Sequence, residues 1–112
     1  MADCIFCQIV TQKIPAQIVY QDENYLAFSD IKPAAPVHLL IIPKKHLELK
    51  DFEEGQPDLP VAVVKIAKQL AKDHNIDQSG YRLVINNGKD AGQEVAHLHW
   101  HLLGGQRLGP IT

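Results

Sequence analysis

Residues 97–105 read His-Leu-His-Trp-His-Leu-Leu-Gly-Gly, so three of the six histidines in the chain stand at alternate positions. A period of two predicts a β-strand, because successive side chains of a strand point to opposite faces. We therefore expect His97, His99 and His101 on one face, and the leucine and tryptophan side chains between them in a core on the other. A buried polar group without a partner costs about 1–3 kcal/mol. The three imidazoles must consequently meet water, a metal, an anion or a substrate.

Apolar stretches elsewhere in the chain predict partners for this strand. Residues 17–20 and 25–28 flank the polar turn 22–24, which indicates an antiparallel hairpin. Residues 38–42 are apolar on both faces and therefore predict a central strand. Residues 83–86 predict a fourth strand, and the histidine stretch is the fifth.

The sequence also predicts helices of different length. Residues 3–14 form a short amphipathic segment with Asp3 as its N-cap, and Pro15 closes it. The main helix begins after a second cap, Asp58, with Pro60 in its first turn. Its buried stripe consists of four apolar residues, Val63, Ile66, Ala67 and Leu70.

Other segments complete the expected architecture. Val61 and Val64 lie partly off the buried stripe, so they either widen the core contact or face a partner subunit. A weak helix follows the turn at residues 43–46, and an acidic loop spans residues 53–57. We predict an α+β fold with a single, mostly antiparallel sheet, one long helix and one or two short ones.

Length and composition bound the class of protein. With 112 residues, 46% hydrophobic and 21% charged, the chain is typical of one globular domain over residues 1–112. A net charge of −2 argues against a nucleic-acid polymer as ligand, which needs a basic stripe, but allows a single nucleotide. We expect no signal peptide and no membrane span. A cytoplasmic location follows, with the two cysteines as thiols or metal ligands rather than a disulfide.

The three alternating histidines permit two kinds of chemistry. Neutral imidazole is a metal ligand, and its ring nitrogen is also a nucleophile towards phosphorus. Next-but-one residues of a strand lie about 6–7 Å apart along the backbone, which suits two metal ligands better than three. The spacing favours a nucleophile array over a metal site, and an incidental arrangement is the third alternative.

A second motif, Cys4-Ile5-Phe6-Cys7, opens the chain. A thioredoxin-like redox role would require a strand in front of this C-x-x-C, and none is predicted there. Zinc would require two further ligands, for which His46 and one histidine of the triad are candidates. The alternative is a pair of small buried thiols.

Residues around the predicted strand ends are candidates for substrate contacts. Asp30 lies in a proline-rich loop, where it either caps a turn or accepts hydrogen bonds from vicinal hydroxyls such as those of ribose. Phe6, Phe28 and Ile31 either flank a purine or belong to the core. His38, at the start of a strand, has a hydrogen-bonded structural role as its alternative.

The loop before the histidine stretch carries two glycines between polar residues. Asn86, Gly88, Gly92 and Gln93 lie on this loop. The glycines allow backbone N–H groups to approach an anion closely, although such glycines also serve simple turns. The Gly-Lys-Ser/Thr ending of a P-loop is absent.

Together, these motifs resemble the histidine-triad (HIT) family, in which histidine alternates with apolar residues and two apolar residues follow. The resemblance extends over residues 4–110. It rests on segments that occur in the family's order: residues 14–16, 27–28 with 30–31, 35–38, 42–46, 80–82, 92–95 and 97–103. The chain looks like the Hint branch, purine nucleoside phosphoramidases that act as homodimers whose sheets join into one.

The resemblance implies roles for four histidines. His99 matches the nucleophile that attacks the α-phosphorus and becomes nucleotidylated. His101 matches the residue that contacts the phosphate and helps the leaving group to depart. His97 would orient the nucleophile, chiefly through its backbone, and His38 matches a further histidine near the phosphate.

The resemblance also implies binding residues and a metal. Asp30 would take the ribose hydroxyls, with Phe6, Phe28 and Ile31 around the base and Asn86 and Gln93 near the phosphate and leaving group. A structural zinc would be held by four residues, Cys4, Cys7, His46 and His97. The reaction would need no catalytic cofactor. Glu94 stands where many Hint proteins have a serine that assists the leaving group.

Two other functions are compatible with the same residues. The triad would bind a catalytic ion in a metal-dependent hydrolase. In a non-enzymatic adaptor, the chain would bind a nucleotide without cleaving it.

Overall fold

The computed structural model describes residues 4–51 and 58–111. Within these ranges the chain forms two α-helices, five strands and two short 3₁₀ turns. The helices are α1 (Ile5–Val10) and α2 (Leu59–Asp73), and the 3₁₀ turns are Leu49–Asp51 and Lys89–Ala91. The strands are β1 (Ile18–Gln21), β2 (Tyr25–Ser29), β3 (Val37–Pro43), β4 (Tyr81–Val84) and β5 (Trp100–Gly104).

The five strands form one antiparallel sheet in the order β1-β2-β3-β5-β4. The predicted α+β class, the β1–β2 hairpin and the central position of β3 are therefore confirmed. In the register of the sheet, Leu40 of β3 lies between Phe28 of β2 and His101 of β5. Directly opposed residues of antiparallel strands point to the same face, so His101 shares a face with both.

The long helix covers the opposite face of the sheet. Four of its residues, Val63, Ile66, Ala67 and Leu70, are buried as predicted. They pack with apolar residues of the strands and of the segment before β5: Ala27, Leu39, Ile41, Leu98 and Leu102. Val61 and Val64 remain about half exposed, so they do not widen this core.

The short helix α1 covers only part of the other face. Phe6 and Ile9 pack against strand residues in a second apolar cluster, which includes Leu26, Phe28, Leu40 and Ile42. Six residues of helix are about 9 Å long, too short to span the sheet. The part of this face that carries His38 and His101 is therefore left without a covering helix.

The predicted strand at residues 97–103 begins later than expected. β5 starts at Trp100, so His97 and His99 precede the strand rather than lie within it. The register that pairs Ile41 with Trp100 would place Pro43 opposite Leu98, and proline has no N–H to continue the ladder. The Leu98 N–H instead donates to the Leu47 carbonyl at 2.6 Å.

Other boundaries also differ from the predictions. The cap of α1 is Cys4, whose Sγ accepts the Cys7 N–H, and the helix ends at Val10. Gln12 has a φ of 64°, in the left-handed region that does not continue a helix. Asp58 caps α2 only through its carbonyl, because its own backbone is helical and its side chain makes no cap bond. β4 lies two residues earlier than predicted.

Two expectations concern segments rather than boundaries. The weak helix expected after the turn at residues 43–46 is the 3₁₀ turn Leu49–Asp51. The acidic loop at residues 53–57 and the predicted cap Asp3 lie outside the described residues. Across the described ranges, no helix has the length and apolar character needed to cross a bilayer.

Candidate active site

A cavity of about 650 Å³ opens on the face of the sheet that α1 leaves uncovered. One part of its wall is apolar and comes from α1, the segment after it and β2. The other part carries His38, His99 and His101, together with Asp30 and the loop before β5. An apolar end beside a few convergent polar groups is typical of a small-molecule site.

His99 is held at one ring nitrogen by the backbone. Its Nδ1 lies 2.7 Å from the carbonyl oxygen of His97. A carbonyl oxygen only accepts, so Nδ1 must carry the proton and donate it. The neutral ring then has a lone pair on Nε2, on a side chain that lines the cavity. The edge-to-face ring of Phe6, 5.1 Å away between centroids, packs against the imidazole.

His38 and His101 are connected by hydrogen bonds that fix both tautomers. The Ala34 N–H donates to Nδ1 of His38 at 2.9 Å, so this nitrogen must be unprotonated. The proton of neutral His38 therefore sits on Nε2, which donates to Nδ1 of His101 at 2.9 Å. His101 is left with its own proton on Nε2. In this site, Nε2 of His99 therefore carries a lone pair, and Nε2 of the neighbouring His101 carries a proton that it can donate.

His38 and His101 are neutral at neutral pH. Burial, followed by the neighbouring His99 and His38, lowers the pKa of His101 to about 4. Burial also lowers the pKa of His38, against the opposing effect of the Asp30 carboxylate. Asp30 Oδ2 lies 3.4 Å from Nε2 of His38. The carboxylate is therefore the anionic group closest to the histidine pair among the described contacts.

His97 faces away from the cavity, towards the two cysteines. Its Nε2 donates to the Pro43 carbonyl at 2.8 Å, which leaves the lone pair on Nδ1. That Nδ1 lies 3.4 Å from the Cys4 sulfur and 3.6 Å from the Cys7 sulfur, and His46 Nδ1 lies 3.3 Å from the Cys7 sulfur. The strand face predicted to carry all three histidines is therefore divided between two sites.

The four residues Cys4, Cys7, His46 and His97 fit a tetrahedral metal site. Their ligand atoms all lie within 4.8 Å of one another. Zinc bonds of about 2.3 Å to sulfur and 2.0–2.1 Å to nitrogen give sulfur–nitrogen edges of roughly 3.6 Å, close to the observed distances. A carbonyl that orients a ligating histidine, as Pro43 does here, is the usual second partner. Without a cation, burial and the Cys4 thiol raise the pKa of Cys7.

A second cluster, formed by Asp30, His38 and His101, does not fit a metal. Its ligand atoms are also within 4.8 Å of one another. A metal on Nε2 of His38 would displace the proton there while the Ala34 N–H occupies Nδ1, which would leave an imidazolate. The hydrogen bonds of this cluster therefore suit proton placement rather than metal binding.

The residues predicted around a nucleotide reach the cavity to different extents. Phe6, Phe28, Asp30, Ile31 and Asn86 line it, although the Ile31 side chain is 87% exposed. Gln93 is not among the lining residues. Its amide instead braces the loop, where Oε1 accepts the Gly88 N–H at 2.8 Å and Nε2 donates to the Val95 carbonyl at 3.1 Å.

Sequence reasoning missed the backbone groups that set the histidine tautomers. These are the Ala34 N–H and the carbonyls of Pro43 and His97. Prolines near Ala34 and at position 43 marked the turns, but not which atoms would point at imidazoles. The apolar end of the cavity, which includes Ile9, Ile14 and Pro15, was also not predicted as part of the site.

The comparisons with known proteins agree with this architecture. A model of the HIT domain matches residues 11–108. An uncharacterised HIT-like protein of Chlamydia muridarum is 48% identical over 109 residues, which cover 96% of this chain and 86% of that protein. A purine nucleoside phosphoramidase of Escherichia coli K12 is 41% identical over 110 residues, which cover 97% of this chain and 92% of that protein.

Solved structures share the fold over almost the whole chain. A HIT family hydrolase from Clostridium thermocellum superposes with a TM-score of 0.94 at 46% identity, covering 98% of this chain and 96% of that one. Sequence, fold and the arrangement of the histidines all lead to the same assignment, and the chain belongs to the HIT-domain family.

Proposed function

We propose that the protein is a hydrolase that cleaves purine nucleoside 5′-phosphoramidates through a covalent nucleotidyl-histidine intermediate. The observation that carries this proposal is the hydrogen bond from Nδ1 of His99 to the His97 carbonyl, because it leaves Nε2 of a cavity histidine as a neutral nucleophile. The similar Escherichia coli protein is a purine nucleoside phosphoramidase. Its activity supports the same substrate class here.

The substrate would lie along the cavity from its apolar end to its polar end. A purine packs against Phe6 and Phe28, whose rings contact each other edge to face at a centroid distance of 5.5 Å, and against the nearby aliphatic residues. The ribose hydroxyls reach Asp30, which already accepts the Lys32 N–H at 2.8 Å and keeps free lone pairs. The phosphate is then beside His99 and His101.

The reaction proceeds in two displacements at phosphorus. In the first, Nε2 of His99 forms a bond to phosphorus while the phosphorus–nitrogen bond breaks, and the departing nitrogen takes a proton from the solvent and leaves as the amine. In the second, water attacks phosphorus, the bond to His99 breaks with its electron pair returning to Nε2, and the water proton passes to the solvent. The Nε2–H of neutral His101 donates a hydrogen bond to a phosphoryl oxygen in both steps.

We further propose that the Cys4, Cys7, His46 and His97 cluster holds a structural zinc. The donor set and the spacing of its atoms support this assignment. The ion would stabilise the folded chain by tying α1 to the segment before β5. The residues of the cluster themselves hold the ring of His97, whose carbonyl orients His99.

We also propose a cytoplasmic homodimer. Both cysteines are free thiols, which suits a reducing compartment. β4 is an edge strand, and the exposed Val61 and Val64 of α2 offer apolar surface to a second copy.

Trapping the intermediate tests the proposed reaction. Wild-type protein mixed with an adenosine 5′-phosphoramidate labelled at phosphorus and then rapidly denatured should retain label on His99. His99→Ala should lose the label and reduce kcat by roughly 10³-fold or more. His74→Ala is the matched control, because this histidine lies at the end of α2, does not line the cavity, and its side chain donates to the Leu70 carbonyl.

The outcomes separate the alternatives. Turnover by His99→Ala at the wild-type rate would contradict the mechanism. Nucleotide binding without turnover by the wild type would identify a non-enzymatic adaptor. Loss of turnover on metal removal, from protein that stays folded and still binds nucleotide, would favour a metal-dependent hydrolase.

A further inference from the structure

We propose that Glu94 selects the leaving group by charge, favouring phosphoramidates whose amine carries a second, positively charged nitrogen and disfavouring anionic leaving groups. This inference rests on the proposed function, which it deepens by naming a class of substrate. It concerns the end of the cavity that the nucleoside does not occupy.

Glu94 lines the cavity on the wall formed by the loop before β5. The apolar end is taken by the base, Asp30 by the ribose, and His99 and His101 by the phosphate. The remaining wall, formed by Ala91, Gly92, Glu94 and Val95, is left for the group on the other side of phosphorus. In a displacement at phosphorus the leaving group departs opposite the nucleophile, so it must project away from His99 towards such a free part of the cavity.

The loop holds Glu94 in place through its neighbours. Gln93 bridges the loop, accepting the Gly88 N–H and donating to the Val95 carbonyl. Asn86 donates to the Ala91 carbonyl at 2.8 Å across the same loop. The backbone at position 94 therefore lies between two hydrogen-bonded residues, and its side chain lines the cavity.

The Glu94 carboxylate has no protein partner among the described residues, whereas the other cavity carboxylate does. Asp30 accepts the Lys32 N–H and lies 3.4 Å from Nε2 of His38. Glu94 is exposed, and the described parts of the chain offer it no hydrogen bond or ion pair. Its charge is consequently available to a ligand.

The charge of the lining decides the direction of the preference. Asp30 and Glu94 are acidic, Lys32 is the basic residue of the lining, and His38 and His101 are neutral. A phosphoramidate already brings one negative charge. A leaving group that ends in a carboxylate or a phosphate would add like charge near Glu94, whereas an ammonium group would be attracted to it.

The experiment compares three adenosine 5′-phosphoramidates with the same alkyl chain, ending in a methyl, an ammonium or a carboxylate group. For the wild type, kcat/KM should fall in the order ammonium, methyl, carboxylate. Exposed charge pairs change an equilibrium by a few-fold, so Glu94→Gln should reduce the ammonium-to-carboxylate ratio by roughly 2- to 20-fold. At about 1 M salt, where the Debye length is about 3 Å, the wild-type ratio should also shrink.

Glu23→Gln is the matched control. It removes the same charge from an exposed glutamate in the turn between β1 and β2, away from the cavity, and should leave the ratio unchanged. Affinities of the three compounds for His99→Ala, with and without Glu94→Gln, give the same comparison without turnover.

The outcomes test the role of Glu94 and the proposed phosphoramidase activity separately. Equal effects of Glu94→Gln on all three compounds, in rate and in affinity, would overturn the selection by charge and leave the phosphoramidase intact. A wild type that neither cleaves the methyl compound nor becomes labelled on His99 would refute the function. The affinity ratio in His99→Ala would then still support or overturn the role of Glu94.

Discussion

The backbone decides where each histidine of the site carries its proton. The His97 carbonyl accepts a hydrogen bond from Nδ1 of His99 and so keeps the proton on that nitrogen, and the Ala34 N–H keeps Nδ1 of His38 unprotonated. The Pro43 carbonyl accepts a hydrogen bond from Nε2 of His97 and so keeps the proton on that nitrogen. Alternation in the sequence predicted that these imidazoles need partners. It could not name the partners, because residues such as Pro43 and His97 meet only after the strands have paired.

The lowered pKa of His101 predicts an acid-sensitive fold. This pKa is about 4 in the folded protein, against 6.5 for an unperturbed histidine. Between these values the unfolded chain binds more protons, so the free energy of unfolding rises with pH in this window. The stability is complete above about pH 6.5 and is lost as the pH falls towards 4. Urea unfolding of wild type across this window should show the decline.

The variant His101→Asn isolates this contribution. Asn can still accept the hydrogen bond from His38 but does not titrate, so its stability should depend less on pH over the same window. Both proteins must carry the same metal content, because acid also releases metal from histidine and thiolate ligands. Parallel pH profiles for the two proteins would contradict the assignment.

Secondary-structure elements follow the sequence where their signals are local. The β1–β2 hairpin, the central strand β3 and the buried stripe of α2 were predictable, because alternation, apolar runs and helical spacing each act within one element. The start of β5 was not. It depends on Pro43, which is distant in sequence and would stand opposite Leu98 if the register continued. Proline has no N–H to extend the ladder there.

The end of β5 depends on close approach of the backbone to a neighbouring loop. Gly105 has a φ of 93°, and a Cβ there would lie 3.0 Å from the Cβ of Pro36. Gly105→Ala should therefore reduce the free energy of unfolding by about 1–3 kcal/mol. Gly109→Ala is the control, because a Cβ there would have no atom within 4 Å and its φ is not left-handed. Chemical denaturation measures both, and equal values would contradict the expected strain.

Metal removal should loosen the attachment of α1 to the rest of the chain. The helix holds Cys4 at its cap and Cys7 in its first turn, whereas His46 and His97 come from distant segments. Purified protein should carry about one zinc per chain. Chelation or Cys4→Ser should lower Tm by roughly 4 °C or more, the shift for a loss of about 1 kcal/mol in a small domain.

Zinc content and Tm must change together for this role. Reloading the chelated wild type should restore Tm, and His74→Ala, outside the cluster, should keep its zinc. A metal-free protein with an unchanged Tm would show that the four residues are only a partly buried cluster of thiols and imidazoles.

At the scale of the whole molecule, the two faces of the sheet differ: one carries the larger apolar core, and the other carries the candidate active site. One face is sealed by α2 and contains the larger apolar core, whereas α1 leaves the other face open at β3 and β5. The sheet order brings His38 and His101 onto adjacent central strands, where the backbone is held on both sides. The position of His99, the proposed nucleophile, just before β5 gives its ring a fixed hydrogen bond to the His97 carbonyl and access to the cavity.

On the side of the sheet covered by α2, apolar residues of the helix and of the edge strand remain exposed. This exposed surface predicts a dimer. Val61 and Val64 are 53% and 48% exposed on α2, and Tyr81 is 38% exposed on the edge strand β4. An unpaired edge strand beside exposed apolar residues favours two-fold pairing with a second copy. Sedimentation of the wild type should give twice the mass of one chain.

Replacement of one exposed valine should weaken that dimer without unfolding the chain. Val64→Glu would place a charge in the apolar contact and should shift the protein towards monomer at the same concentration, since a buried unpaired charge is costly. Gln78→Glu is the control, because it adds the same charge to an exposed position outside α2. A wild type that sediments as a monomer, or a Val64→Glu protein that remains as dimeric as the control, would show that the pairing surface lies elsewhere.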